Sequence, residues 1–333
     1  MYNRSERWVN GLDSIRFILA FIVMLSHLHN PFNALLRSSG NIVANFGGVV
    51  LQHMFPGIAA VSAFFIVSGF VIHYAHMQQP QFNWKSFLVR RWVRVGVPMF
   101  LVTLLSGIYN VHILAIIWSL YCELIFYTLY PLLCRLKVKW DTLLVFASIL
   151  SAIVMSVLVL TEKRFLHLPF LSGRGIGWRL VITAAYLPVW LSGVVLAERI
   201  NVQERVTDSA LWASRVVAYL CGIAVVGLKM QLHINALYTS VLIAPVLYIW
   251  LRNEIVHYAT HTPLKAIENA GQFSYSLYLW HLFIFTLLKL VWPLTTSSYF
   301  IYLFSAIALS YVAYILVERP SHMLARRLAK VIS

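Results

Sequence analysis

Apolar runs of about 20 residues alternate with short polar breaks along nearly the whole chain. A helix needs about 20 residues to cross ~30 Å of hydrocarbon, so this pattern predicts an all-α, polytopic membrane protein. The runs lie near 12–30, 56–76, 93–109, 111–133, 141–160, 179–197, 209–228, 233–251, 273–291 and 299–317, which makes about ten transmembrane helices. The longest breaks, 31–55 and 161–178, fall on one side. The first holds Phe46-Gly47-Gly48 and apolar residues up to Phe55, and predicts an interfacial or re-entrant segment. The second holds Gly173-Arg174-Gly175-Ile176-Gly177, which lacks the preceding strand of a phosphate cradle and is read as a connector. Pro320 is expected to stop the last helix.

Composition agrees: 60% of residues are hydrophobic and 11% charged, where soluble proteins carry about 25% charged residues. An even number of spans puts both termini on one side. Of the 26 Lys and Arg, only Arg37, Lys163, Arg164, Arg174, Arg179, Lys229 and Lys289 fall on the other side, and Arg16 lies inside the first run. The positive-inside rule therefore predicts cytoplasmic termini. A formal charge of +15 placed in loops meets anionic lipid and forms no soluble face for nucleic acid. Cys122, Cys134 and Cys221 have no ligand-like spacing and are read as small core residues, without disulfide or zinc. Asp13 and Arg16 interrupt the first run and no small-residue cleavage site follows, so a retained span is expected, not a signal peptide. Residues 1–333 read as a single integral membrane domain with no soluble domain appended.

Charge inside a span is costly and usually functional. Arg16 and His27 are eleven residues apart, so they share a helix face about 16 Å apart along the axis. Asp13 precedes Arg16 by three and can pair with it. A snorkelling arginine and a histidine bonded to a neighbouring helix would give the same pattern. Ser68 and Gly69 are small enough to let another helix approach closely. Arg90, Arg91 and Arg94 crowd the start of the third span, and forked guanidiniums suit phosphate oxygens; a plain positive-inside anchor is the alternative. Glu123 is a carboxylate inside a span, with Arg16 and Arg94 as candidate partners. Ser274, Tyr278 and His281 share one face of the ninth span, near Trp280. The pairs His73/His76 and His257/His261 lack a third ligand, and no metal is expected.

In chain order these segments resemble the acyltransferase 3 family of integral membrane acyltransferases. LDSIRFILAFIVMLSH is similar to its first-helix signature, with an arginine-x10-histidine spacing at Arg16 and His27. FFIVSGF, RRWVRVGVP, WSLYCELIFYTLYP, SYSLYLWH and VERP are similar to its later signatures. The sequence departs from the family in two places. Only a short stretch separates Arg94 from Trp118, and Leu124 replaces the second acidic residue after Glu123.

The resemblance implies a ten-helix enzyme, usually of the bacterial inner membrane, moving acetyl from cytoplasmic acetyl-CoA to a carbohydrate. Acceptors would be surface polysaccharide, lipopolysaccharide, or lipid-linked or secreted oligosaccharide, with a polysaccharide assembly machinery as a possible partner. Arg90, Arg91 and Arg94 would hold the donor phosphates. His27 would deprotonate the acceptor hydroxyl or carry the acyl group. Arg16, held by Asp13, would orient the donor or stabilise oxyanion charge. Glu123 would position His27 or the acceptor, and Trp118, Ser119, Tyr278 and His281 would bind substrate. A proton-coupled transporter or saccharide exporter is the competing class, since intramembrane Arg, His and Glu also serve carriers. A lipid-handling scaffold is the third.

Overall fold

The computed structural model describes residues 9–38, 40–77, 82–161 and 176–332, and those residues form helices and no strand. The helices are α1 (Leu12–His27), α2 (Pro31–Arg37), α3 (Ile42–His53), α4 (Gly57–His76), α5 (Trp84–Ile108), α6 (Leu114–Arg135), α7 (Trp140–Thr161) and α8 (Ile176–Arg199). They continue as α9 (Asp208–Gln231), α10 (Ala236–Leu242), α11 (Ala244–Thr260), α12 (Lys265–Ala270), α13 (Ser274–Val291), α14 (Tyr299–Ala313) and α15 (Arg319–Ile332). A 3-10 turn, Gly271–Phe273, leads into α13, and a π-helical stretch, Tyr314–Glu318, joins α14 to α15. Lys163, Arg164 and most of the glycine pattern at 173–177 lie outside the described residues.

Among the described residues, seven helices are long and apolar enough to cross a membrane, or eight if α1 and α2, bent by 52°, make one span. The expected count of about ten is therefore approximate, for local reasons. Helix α1 has 16 residues and α11 has 17. Helix α5 has 25, but its first half carries Lys85, Arg90, Arg91 and Arg94. The expected span 233–251 is broken at Ile243, where α10 ends and α11 restarts with a proline in its first turn. The segment 31–55 is helical, as α2 and α3. Pro320 does not end the helix. It sits second in α15, which directly follows the π-helical stretch, and the chain stays helical to Ile332.

Helices α4 and α8 form the centre of the bundle, and most of each is buried; α7, α9 and α14 are mostly exposed and apolar on the outside, as helices facing lipid should be. The close approach read from Ser68-Gly69 is present. A Cβ on Gly69 would collide with the Trp190 carbonyl of α8, and one on Gly193 would stand 2.8 Å from the Phe70 nitrogen of α4. Here two backbones touch because neither carries a side chain. The cysteines divide: Cys122 is buried, Cys221 half-buried, and Cys134 exposed, because it falls on the outer face of the last turn of α6. Glu254, on α11, is buried and satisfied: it takes two bonds from Arg215 at 2.7 and 2.9 Å and one from Trp250 at 3.0 Å.

Candidate active site

Helix α1 is anchored at its first turn by a residue far along the chain. Glu268 of α12 accepts from Gly11 N (3.1 Å), Ser14 N (2.9 Å) and Ser14 Oγ (2.5 Å). These are the amides that a helix start leaves unpaired, and a carboxylate there also suits the helix dipole. Gly11 adopts φ +82° just before the helix, and a Cβ on Gly271 would run into Asp13. So the start of α1 is held tightly against the turn that opens α13. This is what fixes Asp13 and Arg16.

Both face a cavity of about 520 Å³. It lies where α1, α5, α13 and α15 begin, and α4 and α6 complete its wall. Its cations are Arg16, Arg91, Arg94 and Arg326; its carboxylates are Asp13, Glu123 and Glu318. Ser68, Ser119, Tyr127, Ser274 and Tyr278 add hydroxyls, and Phe64, Phe65 and Val67 an apolar side. Such a mixture inside an apolar bundle is expensive unless something uses it.

The bonding pattern separates held groups from available ones. Arg16 Nη1 is 3.4 Å from Asp13 Oδ1, long for a charge-assisted bond, so the guanidinium keeps most of its donors for a ligand. Arg91 is sandwiched between the rings of Phe87 (5.7 Å) and Tyr127 (5.6 Å). Glu123 pairs with neither Arg16 nor Arg94, in contrast to the expectation. It accepts from Ser68 Oγ (3.1 Å) and from the hydroxyl of Tyr127, the residue whose ring Arg91 also faces. Two hydroxyls from α4 and α6 converge on Glu123 Oε1. Glu318 accepts from Ser276 N (3.2 Å) and Ser276 Oγ (2.6 Å). Tyr275 donates to the Val95 carbonyl (2.8 Å), tying α13 to α5 at the level of the arginines.

His27 and His281 do not line this cavity. They meet behind its far wall. His281 Nδ1 is 3.0 Å from the Leu277 carbonyl, which can only accept, so that nitrogen carries the hydrogen. A neutral His281 then offers the Nε2 lone pair to His27 Nδ1, 3.2 Å away, which is also 3.0 Å from the Val23 carbonyl. Both contacts require the hydrogen of His27 on Nδ1. Its Nε2 is left as a base. The wall between is Tyr278, whose hydroxyl is 2.6 Å from Ser119 Oγ. Trp118 is not in the lining; it packs on Phe65 (6.2 Å) and Tyr186 (5.3 Å).

Of the residues singled out in the sequence, Asp13, Arg16, Arg91, Arg94, Ser119, Glu123 and Tyr278 share the cavity. Arg90 lines a smaller chamber beside it. Not singled out were Tyr127, Glu268, His322 and Arg326. Tyr127 is one turn from Glu123, and Glu318, His322 and Arg326 recur every four residues, so helical spacing would have found these. Nothing local marks Glu268.

A family model described as an acyltransferase domain, Acyl_transf_3, matches residues 9–315 of this chain. No curated protein and no solved structure matches it.

Proposed function

The chain belongs to that acyltransferase family, and on this premise we propose that it moves an acyl group, acetyl in the simplest case, from cytoplasmic acyl-CoA to a hydroxyl of a carbohydrate acceptor. What carries this reading is the cavity itself. It joins guanidiniums fit for phosphates, at the end where α5 begins, to a buried interior that stops one wall short of a neutral imidazole. A polyanionic donor cannot enter hydrocarbon, so its phosphates stay at the arginines while the thioester arm reaches inward.

In this scheme Arg91 and Arg94 bind phosphate, and Arg16 orients the arm. The rise of about 16 Å between Arg16 and His27 is too long for both to touch one carbonyl. Arg16 is therefore a donor-binding group, and the hydroxyl falls to His27. The acceptor hydroxyl attacks the thioester carbonyl and its proton goes to His27 Nε2. The C–O bond forms, the C–S bond breaks, and the thiolate leaves as CoA once it takes that proton. For the carbonyl to meet the acceptor, Tyr278 must turn away from Ser119. Glu123 positions Ser68 and Tyr127 on the cavity wall and does not reach His27. Acceptors would be surface polysaccharide, lipopolysaccharide, or lipid-linked or secreted oligosaccharide, met from outside a bacterial inner membrane with both termini of the protein cytoplasmic.

The test uses purified protein in lipid nanodiscs with acetyl-labelled acetyl-CoA and candidate oligosaccharides. Label found on the saccharide, together with free CoA, supports the reading. Saccharide movement with the thioester left intact would make the protein a carrier and overturn it.

A further inference from the structure

A second cavity, of about 150 Å³, adjoins the first between α5 and α15. Arg90, Arg91, Arg94 and Arg326 line it, with His76 and His322, and no carboxylate does. The larger cavity sets Asp13, Glu123 and Glu318 against its arginines, whereas the residues lining the smaller one include no carboxylate. The guanidiniums of Arg91, Arg94 and Arg326 around so small a space repel one another unless an anion or water lies between. Arg91, Arg94, His322 and Arg326 border both cavities, so the small one is a side chamber of the large.

Helix α15 brings its share by simple periodicity. Ser321, Ala325 and Ala329, four apart, are buried, and α15 packs closely on α5. One position further along, His322 and Arg326 fall at the chamber. Arg94 and Arg326 make no side-chain hydrogen bond or ion pair among the described residues. His322 Nε2 is buried without a hydrogen bond, 3.6 Å from the Glu318 carboxylate. His76 donates from Nδ1 to the Ile72 carbonyl (2.7 Å). Helix α15 lies beyond residues 9–315, so its part here is not carried by the family match.

We propose that this chamber is a phosphate site, and that Arg326 and His322 of the C-terminal helix close it over a phosphate group of the acyl donor. This rests on the donor reading above. A space of about 150 Å³ is enough to admit one phosphate group. Forked guanidiniums are the side chains that match phosphate oxygens best. An anionic phospholipid headgroup offers the same chemistry, and exposed Leu324, Leu328 and Val331 give α15 a face for lipid. The experiment separates the two sources.

Full-length protein in phosphatidylcholine nanodiscs is titrated with CoA and with 3′-dephospho-CoA, as wild type, Arg326→Gln and Arg326→Lys. Arg326→Gln should weaken CoA binding about tenfold or more, with Arg326→Lys between it and wild type. If dephospho-CoA binding is unchanged by the variant, the phosphate held is the 3′-monoester; if it falls equally, the diphosphate. If the variant instead keeps CoA binding but loses phosphatidylglycerol carried through purification, read by native mass spectrometry, the phosphate site stands with lipid as its source. Unchanged CoA binding and unchanged phospholipid in a folded Arg326→Gln protein overturn the proposal. Wild-type protein that binds neither form of CoA defeats the donor reading itself, and the phospholipid arm alone then decides the chamber.

Discussion

His281 holds His27 by its Nε2, which accepts from His27 Nδ1 at 3.2 Å. A fully buried imidazole thus fixes the tautomer of a half-buried one and leaves the second ring nitrogen of His27 unprotonated. The sequence suggested His281 as a substrate contact. Its two ring nitrogens face Leu277 and His27, so in the proposed reaction it would act as a positioning residue.

Replacing the base and replacing its holder should therefore differ. His27→Gln should lower kcat by about 10²–10⁴-fold, the usual worth of a general base. His281→Gln, whose amide oxygen can still accept from Nδ1, should retain more activity than His281→Leu. A purely structural role would lower both His281 variants together with their thermal stability. Equal turnover in His281→Gln and His281→Leu proteins of unchanged stability would remove this positioning role.

At the cavity mouth, the effect should fall on binding. Arg94→Gln should raise KM for acyl-CoA about tenfold or more with little change in kcat, because phosphate contacts are the same in ground and transition states. Arg91→Lys should also raise it, since an ammonium cannot stack between Phe87 and Tyr127 as a planar guanidinium does. Steady-state kinetics with varied donor is the measurement, and a fall in kcat alone would contradict this assignment.

The cap on α1 makes a distant residue matter. Glu268→Ala leaves Gly11 and Ser14 amides without their acceptor, at a cost of about 0.5–2 kcal/mol. The melting temperature in detergent should drop, and activity should drop further than stability explains, because Arg16 moves with the helix start. Activity equal to wild type at a lowered melting temperature would separate Glu268 from the site.

Glycines give a paired test of packing. Gly69→Ala or Gly193→Ala drives a methyl into the backbone of the facing helix and should destabilise by about 1–3 kcal/mol. Gly96→Ala and Gly107→Ala meet nothing within 4 Å and should be neutral or stabilising by up to about 1 kcal/mol. Thermal unfolding of all four variants would show whether α4 and α8 touch as described.

What the sequence revealed was what lies within one helix. Asp13 and Arg16 at three-residue spacing, Arg91 and Arg94, and the small pair Ser68-Gly69 each follow from helical geometry alone. What it concealed was chosen across helices. One of the two partners of Glu123 is a serine 55 residues away, and the cap of α1 comes from 254 residues downstream. His281 turns aside from the stripe it shares with Ser274 and Tyr278 because His27 is there to meet it. The count of about ten spans is approximate because hydropathy takes no account of length, as in α1 and α11, or of charge, as in α5.

The π-helical stretch at Tyr314–Glu318 puts α14 and α15 out of step with each other. It accommodates one residue more than an α-helix would, a phase offset of about 100°. The oily side of α14 can then look outward while Glu318, His322 and Arg326 look in. Deleting a single residue there would restore regular winding and swing all three away from the mouth, even with every one of them still encoded. For this short segment, length is a stricter requirement than spelling.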